Sequence, residues 1–400
     1  MLEPAIPPHL QRPRTCPARL PHDAFEPPNA AYCARFPESI TDLVMATICA
    51  QARSPAAELS PATDILAPVI AFLKHADGKE GSGDGDAEEE GQEEKSTLRP
   101  SAFDLISFRD AAGHHNVGVI AYWPGGRARF EEWSEASGFE AWWRGLDDAS
   151  SPPSPLSPTS SSSEGAKEGK ETDVGWFREV FFPTLDRYET VFSNQEAGEE
   201  GAARMRAGMS GPVREHVYWG SMRDRMPASQ VDGLEGEKTA AAAAEGTTER
   251  HSSRVVVPGK KNLCVIRSGQ DWSAMLPAER KLYLETMHPV LVKGMDFLRD
   301  EGRSIGCHSC RFVDELDLGD ERKETERTFG FAFFNDMESL EKWSKSHRTH
   351  LDIFGRFLQY VKELDGNISL RLFHEVLVLK PEQQLLEYVG CHPKTGLMGV

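Results

Sequence analysis

One pattern occurs twice in this chain, and it constrains the fold more than any other feature. Ala121-Tyr122-Trp123 is followed, after a short loop, by Phe130-Glu131-Glu132-Trp133-Ser134. About 210 residues later, Ala332-Phe333-Phe334 leads into Leu340-Glu341-Lys342-Trp343-Ser344. An aromatic strand end, a loop, then apolar-x-x-Trp-Ser on a helix predicts two related α+β halves, each a small antiparallel sheet with helices on one face. Position 350 of the second copy aligns with Glu140 of the first, so only the later copy keeps histidines there. That asymmetry places a candidate site in the C-terminal half.

The second copy reads as an amphipathic helix over Leu340–Phe354, with Leu340, Trp343, His347, His350 and Phe354 recurring at three- and four-residue steps. A further histidine, His374, lies in the strand-like alternation Leu370, Leu372, His374, Val376, Val378. Neutral imidazole beside an apolar wall suits a metal or cofactor, although paired histidines on a helix are more often packed or solvated.

Charge excludes one class of function. A net charge of −18 argues against binding nucleic acid by phosphate neutralisation. Part of it is local: Asp77–Lys95 holds nine acidic and two basic side chains. Seven cysteines spread over 400 residues read as free thiols in a reducing compartment rather than a disulfide framework. No signal peptide and no apolar run of membrane-spanning length is evident, so a cytoplasmic protein is expected, with no membrane partner.

Residues 1–400 read as a single domain, with an N-terminal half (about 38–200) and a C-terminal half (about 201–395). Proline and arginine make residues 1–37 an irregular arm. Helical spacing is expected from about Ser39 to His75 with a break at Ser54-Pro55, over Arg129–Trp143, over Ala202–His216 and over Pro277–Arg303. Strands are expected at Phe103–Phe108, Val117–Trp123, within Trp176–Phe192, and at Leu263–Ser268, Cys307–Leu318, Thr328–Phe334 and Leu370–Leu379. Three low-complexity tracts, at 77–98, 150–172 and 233–254, are expected to be disordered insertions.

Cys307-His308-Ser309-Cys310 and His347-Arg348-Thr349-His350 invite a zinc reading. The two pairs are too far apart for a zinc finger, and strand alternation is expected to put Cys307 and Cys310 on opposite faces. What remains is a set of polar residues embedded in hydrophobic segments: Glu189, Arg225, Ser268, His350 and His374. Burying them requires mutual pairing, which an ion-pair network or a reactive site would each supply.

Several runs resemble the haem-containing aldoxime dehydratases: Tyr218–Pro227, Ile266–Trp272, Gly294–Asp300, Trp343–Leu351, Leu370–Val376 and Glu387–Pro393. The resemblance spans nearly the whole chain outside the three tracts. It implies an α+β fold of two ferredoxin-like repeats forming an antiparallel sheet or barrel core flanked by helices. It implies haem b, iron protoporphyrin IX acting in the ferrous state, and conversion of a small-molecule aldoxime, R–CH=N–OH, to a nitrile and water. Residue by residue, His350 resembles the axial iron ligand and His374 the distal catalytic histidine. Ser268 and Arg225 match the distal polar pair, and Glu189 the acid that supports Arg225 and His374 and raises the histidine's pKa. Family members are often homodimers. The alternatives from the residues themselves are a haem-binding α+β protein of peroxidase-like chemistry, or a sensor or carrier without turnover.

Overall fold

A computed structural model describes residues 1–20, 27, 29–59, 62–75, 98–147, 174–196, 199–217, 221–237, 254–317 and 324–400. The elements in order are β1 (Ala34–Arg35), β2 (Leu43–Ala52), α1 (Ala62–Lys74), β3 (Ala102–Arg109), β4 (His115–Pro124), α2 (Arg127–Ala136), α3 (Phe139–Gly145), β5 (Val174–Phe181) and β6 (Tyr188–Phe192). There follow β7 (Gly208–Met209), α4 (Met222–Arg225), β8 (Arg254–Val257), β9 (Leu263–Asp271), α5 (Pro277–Leu282) and α6 (His288–Asp300). The chain closes with β10 (Cys307–Leu316), β11 (Glu324–Phe334), α7 (Met337–Ser346), α8 (Arg348–Glu363), β12 (Arg371–Leu379) and β13 (Gln384–Val389).

Eleven strands form one antiparallel sheet in the order β6-β12-β9-β11-β10-β3-β4-β2-β5-β13-β8. The α+β expectation holds, and the sheet is curled. Phe181 of β5 and Phe333 of β11, five places apart, bring their rings within 5.7 Å. The inner face buries Met45, Phe177, Phe331 and Leu377 in one core. Charge is also buried inside, and it is paired: Arg311 grips Glu179 at 2.6 Å through both guanidinium nitrogens, and Glu375 accepts from Tyr122 (2.8 Å) and Tyr188. The outer face carries helices. On the N-terminal side α1, α2 and α3 cover it, with Trp133 and Trp143 in the interface; on the C-terminal side α6 and α7 do so, with Met295 and Trp343.

The repeated motif takes the same local form twice. Strand β4 ends in an aromatic that helix α2 covers, with Trp123 4.9 Å from Trp133; β11 and α7 repeat this with Phe334 and Trp343 at 6.2 Å. Two strands towards the ends of the sheet, however, are exchanged. β6 follows β5 in the chain but pairs with β12, while β13 follows β12 but pairs with β5. No local pattern announces pairing of that kind.

Five expectations are corrected. Leu43–Ala52 is a strand, not a helix; all ten residues are buried, so neither face shows the alternation of a half-exposed strand. Ala202–His216 forms a 3-10 turn (Gly201–Met205) and the short β7. The stretch Leu340–Phe354 is two helices, broken at His347, whose ring accepts from the Thr349 amide as the N-cap of α8. Arg129–Trp143 is likewise two helices, separated at Gly138, whose φ of 82° suits glycine. A bulge between Cys307 and Ser309 also resets the alternation of β10, so Cys307 and Cys310 join the same cluster instead of opposite faces.

The tracts expected to be disordered lie mostly outside the described residues. Their described edges are packed: the Leu98 carbonyl accepts from the Trp123 indole at 3.0 Å, and Leu234 is fully buried. The N-terminal arm is irregular, yet it braces the loop before α4. The Ala5 amide donates to Glu215 at 2.8 Å, and the Arg19 and Leu20 amides donate to Asp224. None of the helices among the described residues is long and apolar enough to cross a membrane.

Candidate active site between the C-terminal helices and the sheet

Strand register brings the polar residues together. In the β9–β12 ladder Ser268 stands directly opposite His374, and Ser268 also faces Gly330 on β11. In the β12–β6 ladder Val191 faces His374 and Glu189 faces Val376, so Glu189 lies on the same face as His374, one step along the diagonal. The four-residue helix α4 then delivers Arg225 to that carboxylate.

The result is a buried triad. His374 Nε2 lies 2.6 Å from Glu189 Oε1, Arg225 Nε donates to Glu189 Oε2 at 2.9 Å, and Arg225 Nη2 approaches His374 Nε2 at 3.1 Å. Arg225 Nη1 donates to the Glu215 carbonyl at 2.9 Å. Burial alone would raise the Glu189 pKa, but Arg225 and His374 outweigh it and hold the carboxylate at about 2. His374 is shifted the other way. Burial lowers its pKa below the ordinary imidazole value, and the upward pull of Glu189 offsets this only in part, so the net rise expected from the sequence is not found. With Glu189 ionised, the imidazole proton sits on Nε2 and donates to it.

Ser268, His350 and His374 line one cavity between α6, α8 and the sheet. Arg225 and Glu189 do not line it. They stand behind His374, against a second cavity bounded by Ala5, Leu10 and Cys33 of the N-terminal segment. His374 and Ser268 thus face the first cavity, and the Glu189–Arg225 ion pair lies behind them.

Across the cavity from His374 stands His350, packed edge-on against Trp343 with ring centroids 4.6 Å apart. Burial lowers its pKa to about 4, and one ring nitrogen donates to the Ser344 backbone carbonyl. That hydrogen bond fixes the tautomer, as it does for imidazoles that bind metals, and keeps the other nitrogen basic and unprotonated at neutral pH. His347 is turned elsewhere: its ring stacks on Phe297 of α6 at 4.3 Å. The floor is flat and small, since Gly330 and Ala332 lie where larger side chains would intrude; a Cβ at 330 would come within 2.5 Å of the Met295 sulfur. A neutral histidine on one wall, apolar surfaces and a glycine floor fit a haem, which His350 would hold between helices and sheet.

Two further residues near the site are not picked out from the sequence. His216, buried near Arg225 and His374, is held at about 3 by burial and by the nearby Arg225 guanidinium. Gln270 is the next pocket-facing residue after Ser268 on β9, and its amide takes part in the Thr328 hydroxyl hydrogen bond at 3.1 Å. Period-two spacing from Ser268 could have pointed to Gln270; nothing local points to His216.

Comparison with known proteins agrees with this geometry. An aliphatic aldoxime dehydratase of Pseudomonas sp. is 34% identical over 398 residues, covering 99% of this chain and 98% of that protein. A phenylacetaldoxime dehydratase of Bacillus sp. (strain OxB-1) is 29% identical over 302 residues, 75% of this chain and 78% of that protein. A crystal structure of an aldoxime dehydratase in complex with butyraldoxime superposes with a TM-score of 0.77 at 32% identity, covering 99% of this chain and 96% of that one. Residues 160–397 match the haem-containing dehydratases, and with relatives this similar over their full length the chain belongs to that family.

Proposed function

We propose that this protein dehydrates aldoximes, R–CH=N–OH, to nitriles, R–C≡N, and water, using haem b held by His350. The observation that carries the reading is one cavity with a neutral histidine on its helical wall and a Glu189-supported histidine on its opposite wall. Bound there in the ferrous state, haem supplies an electron-rich iron for the oxime nitrogen. The remaining chemistry is done by side chains.

Hydroxide leaves poorly, so the oxime oxygen must be protonated. His374, with its Nε2–H engaged by Glu189, exchanges protons with substrate at Nδ1. In its protonated form it gives a proton to the oxime hydroxyl, and water departs. The neutral imidazole then takes the proton on the oxime carbon as the C≡N bond forms, which restores the starting state. Ser268, directly across the ladder, holds the oxygen in line. Arg225 acts through Glu189 and His374: it keeps the carboxylate ionised, and the carboxylate stabilises the imidazolium.

We further read the sheet as two ferredoxin-like repeats, a reading supported by the β4–α2 and β11–α7 likeness. Cytoplasmic residence is supported by the lack of any disulfide among the described cysteines, and a homodimer by the family resemblance alone. The deciding experiment incubates haem-loaded, dithionite-reduced protein with phenylacetaldoxime and measures phenylacetonitrile. Nitrile from the wild type, and a loss of about 100-fold or more in His374→Ala with haem retained, is the expected result. A reduced, haem-loaded wild type that makes no nitrile overturns the reading.

A further inference from the structure

We infer that Tyr283 sets side-chain specificity, its hydroxyl receiving a neutral oxygen acceptor at the far end of an aryl-substituted aldoxime. This rests on the aldoxime dehydratase reading above.

Between α5 and α6 the helix widens into a π-helical turn, Tyr283–Met287. Such insertions shift side-chain direction and recur at functional sites. Tyr283 is 1% exposed, lines the cavity, and packs against Trp272 with ring centroids 5.4 Å apart. Its hydroxyl is buried with no hydrogen-bond partner among the described residues. The other buried tyrosines behave differently. Tyr122 and Tyr188 give their hydroxyls to Glu375, Tyr360 to Glu279 and Tyr388 to Glu179. An orphaned phenol is destabilising, by about 1–3 kcal/mol on general grounds, unless a ligand supplies the acceptor. Burial raises its pKa, so the group is a donor.

Its place decides which ligand atom it can meet. Trp272 and Leu370, its neighbours in the same cluster, lie just past the ends of β9 and β12, four residues from Ser268 and His374. Four residues of extended chain span about 13 Å, which sets Tyr283 towards the end of the cavity away from His374. The tail of a long side chain is within reach. Among the described residues no Asp, Glu, Lys or Arg lines this cavity, so a carboxylate would be buried there without a counter-charge. That selects a neutral acceptor such as an ether oxygen.

The test compares phenylacetaldoxime with 4-methoxyphenylacetaldoxime, whose extra oxygen can only accept. The wild type should favour the methoxy compound in kcat/KM by about ten-fold, the worth of one buried hydrogen bond. Tyr283→Phe should erase that preference while leaving haem content and the Soret spectrum unchanged. Equal use of both substrates by the wild type overturns the inference, as does a preference that survives in Tyr283→Phe. Loss of haem in the variant also overturns it, assigning the hydroxyl to the cofactor. If neither substrate is turned over, the parent reading fails by itself. Titration of both oximes into wild type and variant, read as Soret shifts, then decides the Tyr283 contact directly.

Discussion

Arg178 and His374 occupy corresponding places on the two sides of the sheet. Ile48 pairs with Val119 and Arg178, just as Ser268 pairs with Gly330 and His374. Glu140 and His350 correspond in the same way through the repeated strand–helix motif. On the N-terminal side the two meet: Arg178 Nη1 donates to Glu140 at 2.7 Å and Nε to Glu387 at 2.8 Å, with the guanidinium 4.8 Å from the Trp143 ring. Trp133 and Phe139, 5.1 Å apart, fill the rest. On the C-terminal side both residues are histidines whose pKa values burial lowers, so they cannot form a charge pair with each other. The gap stays open as a cavity. Opposite charges across a helix–sheet gap draw it shut, whereas two neutral imidazoles leave room for a third group between them.

The contrast can be broken at its strongest point first. His350→Ala should strip the haem, abolishing the Soret band and activity, whereas Glu140→Ala, its counterpart, should leave haem content unchanged. Full haem retention with an unaltered spectrum in His350→Ala would refute the assignment. Next, Glu189→Gln should keep its haem and lose about 100-fold in kcat/KM. Its pH profile carries the sign. The acid form of His374 is populated below its lowered pKa, so activity falls as pH rises through that value. Glu189 pulls the pKa upward, so removing its charge should move this fall to still lower pH. A limb that stays in place would remove Glu189 from the tuning of His374. The smallest effect on chemistry is expected from Arg178→Ala. Glu140 and Glu387, both partly buried, lose Arg178 but keep Arg144 and Arg254, so the fold should be destabilised by about 2 kcal/mol in urea unfolding, with turnover per haem unchanged.

The site was more legible in the sequence than the fold that holds it. His350, His374 and Ser268 stand out because a polar residue inside an apolar, periodic segment needs a reason to be there. Arg225 and Glu189 were legible as residues but not in place, since it is the register of β6 and a four-residue helix that put them behind His374. Leu43–Ala52 misled because burial on both faces removes the period that distinguishes strand from helix. The break at His347 was hidden for a similar reason: α7 and α8 continue one apolar stripe, and only the cap geometry divides them. Tyr283 gave no sign at all, because a tyrosine in an amphipathic helix is ordinary until its hydroxyl is seen to lack a partner.

The exchange of β6 and β13 bears on how the protein is made. Strand β6 leaves synthesis with its neighbour β12 still about 180 residues away, and β5 waits longer still for β13. Both sides of the sheet are therefore completed by Arg371–Val389, near the end of the chain. Contacts so distant in sequence slow folding and leave an unpaired strand edge exposed meanwhile. A nascent chain stopped before Arg371 lacks His374 and the strand that seats Glu189, so it can form neither the His374–Glu189 pair nor a closed N-terminal half. The two halves cannot mature as independent units, and the last strands made complete both.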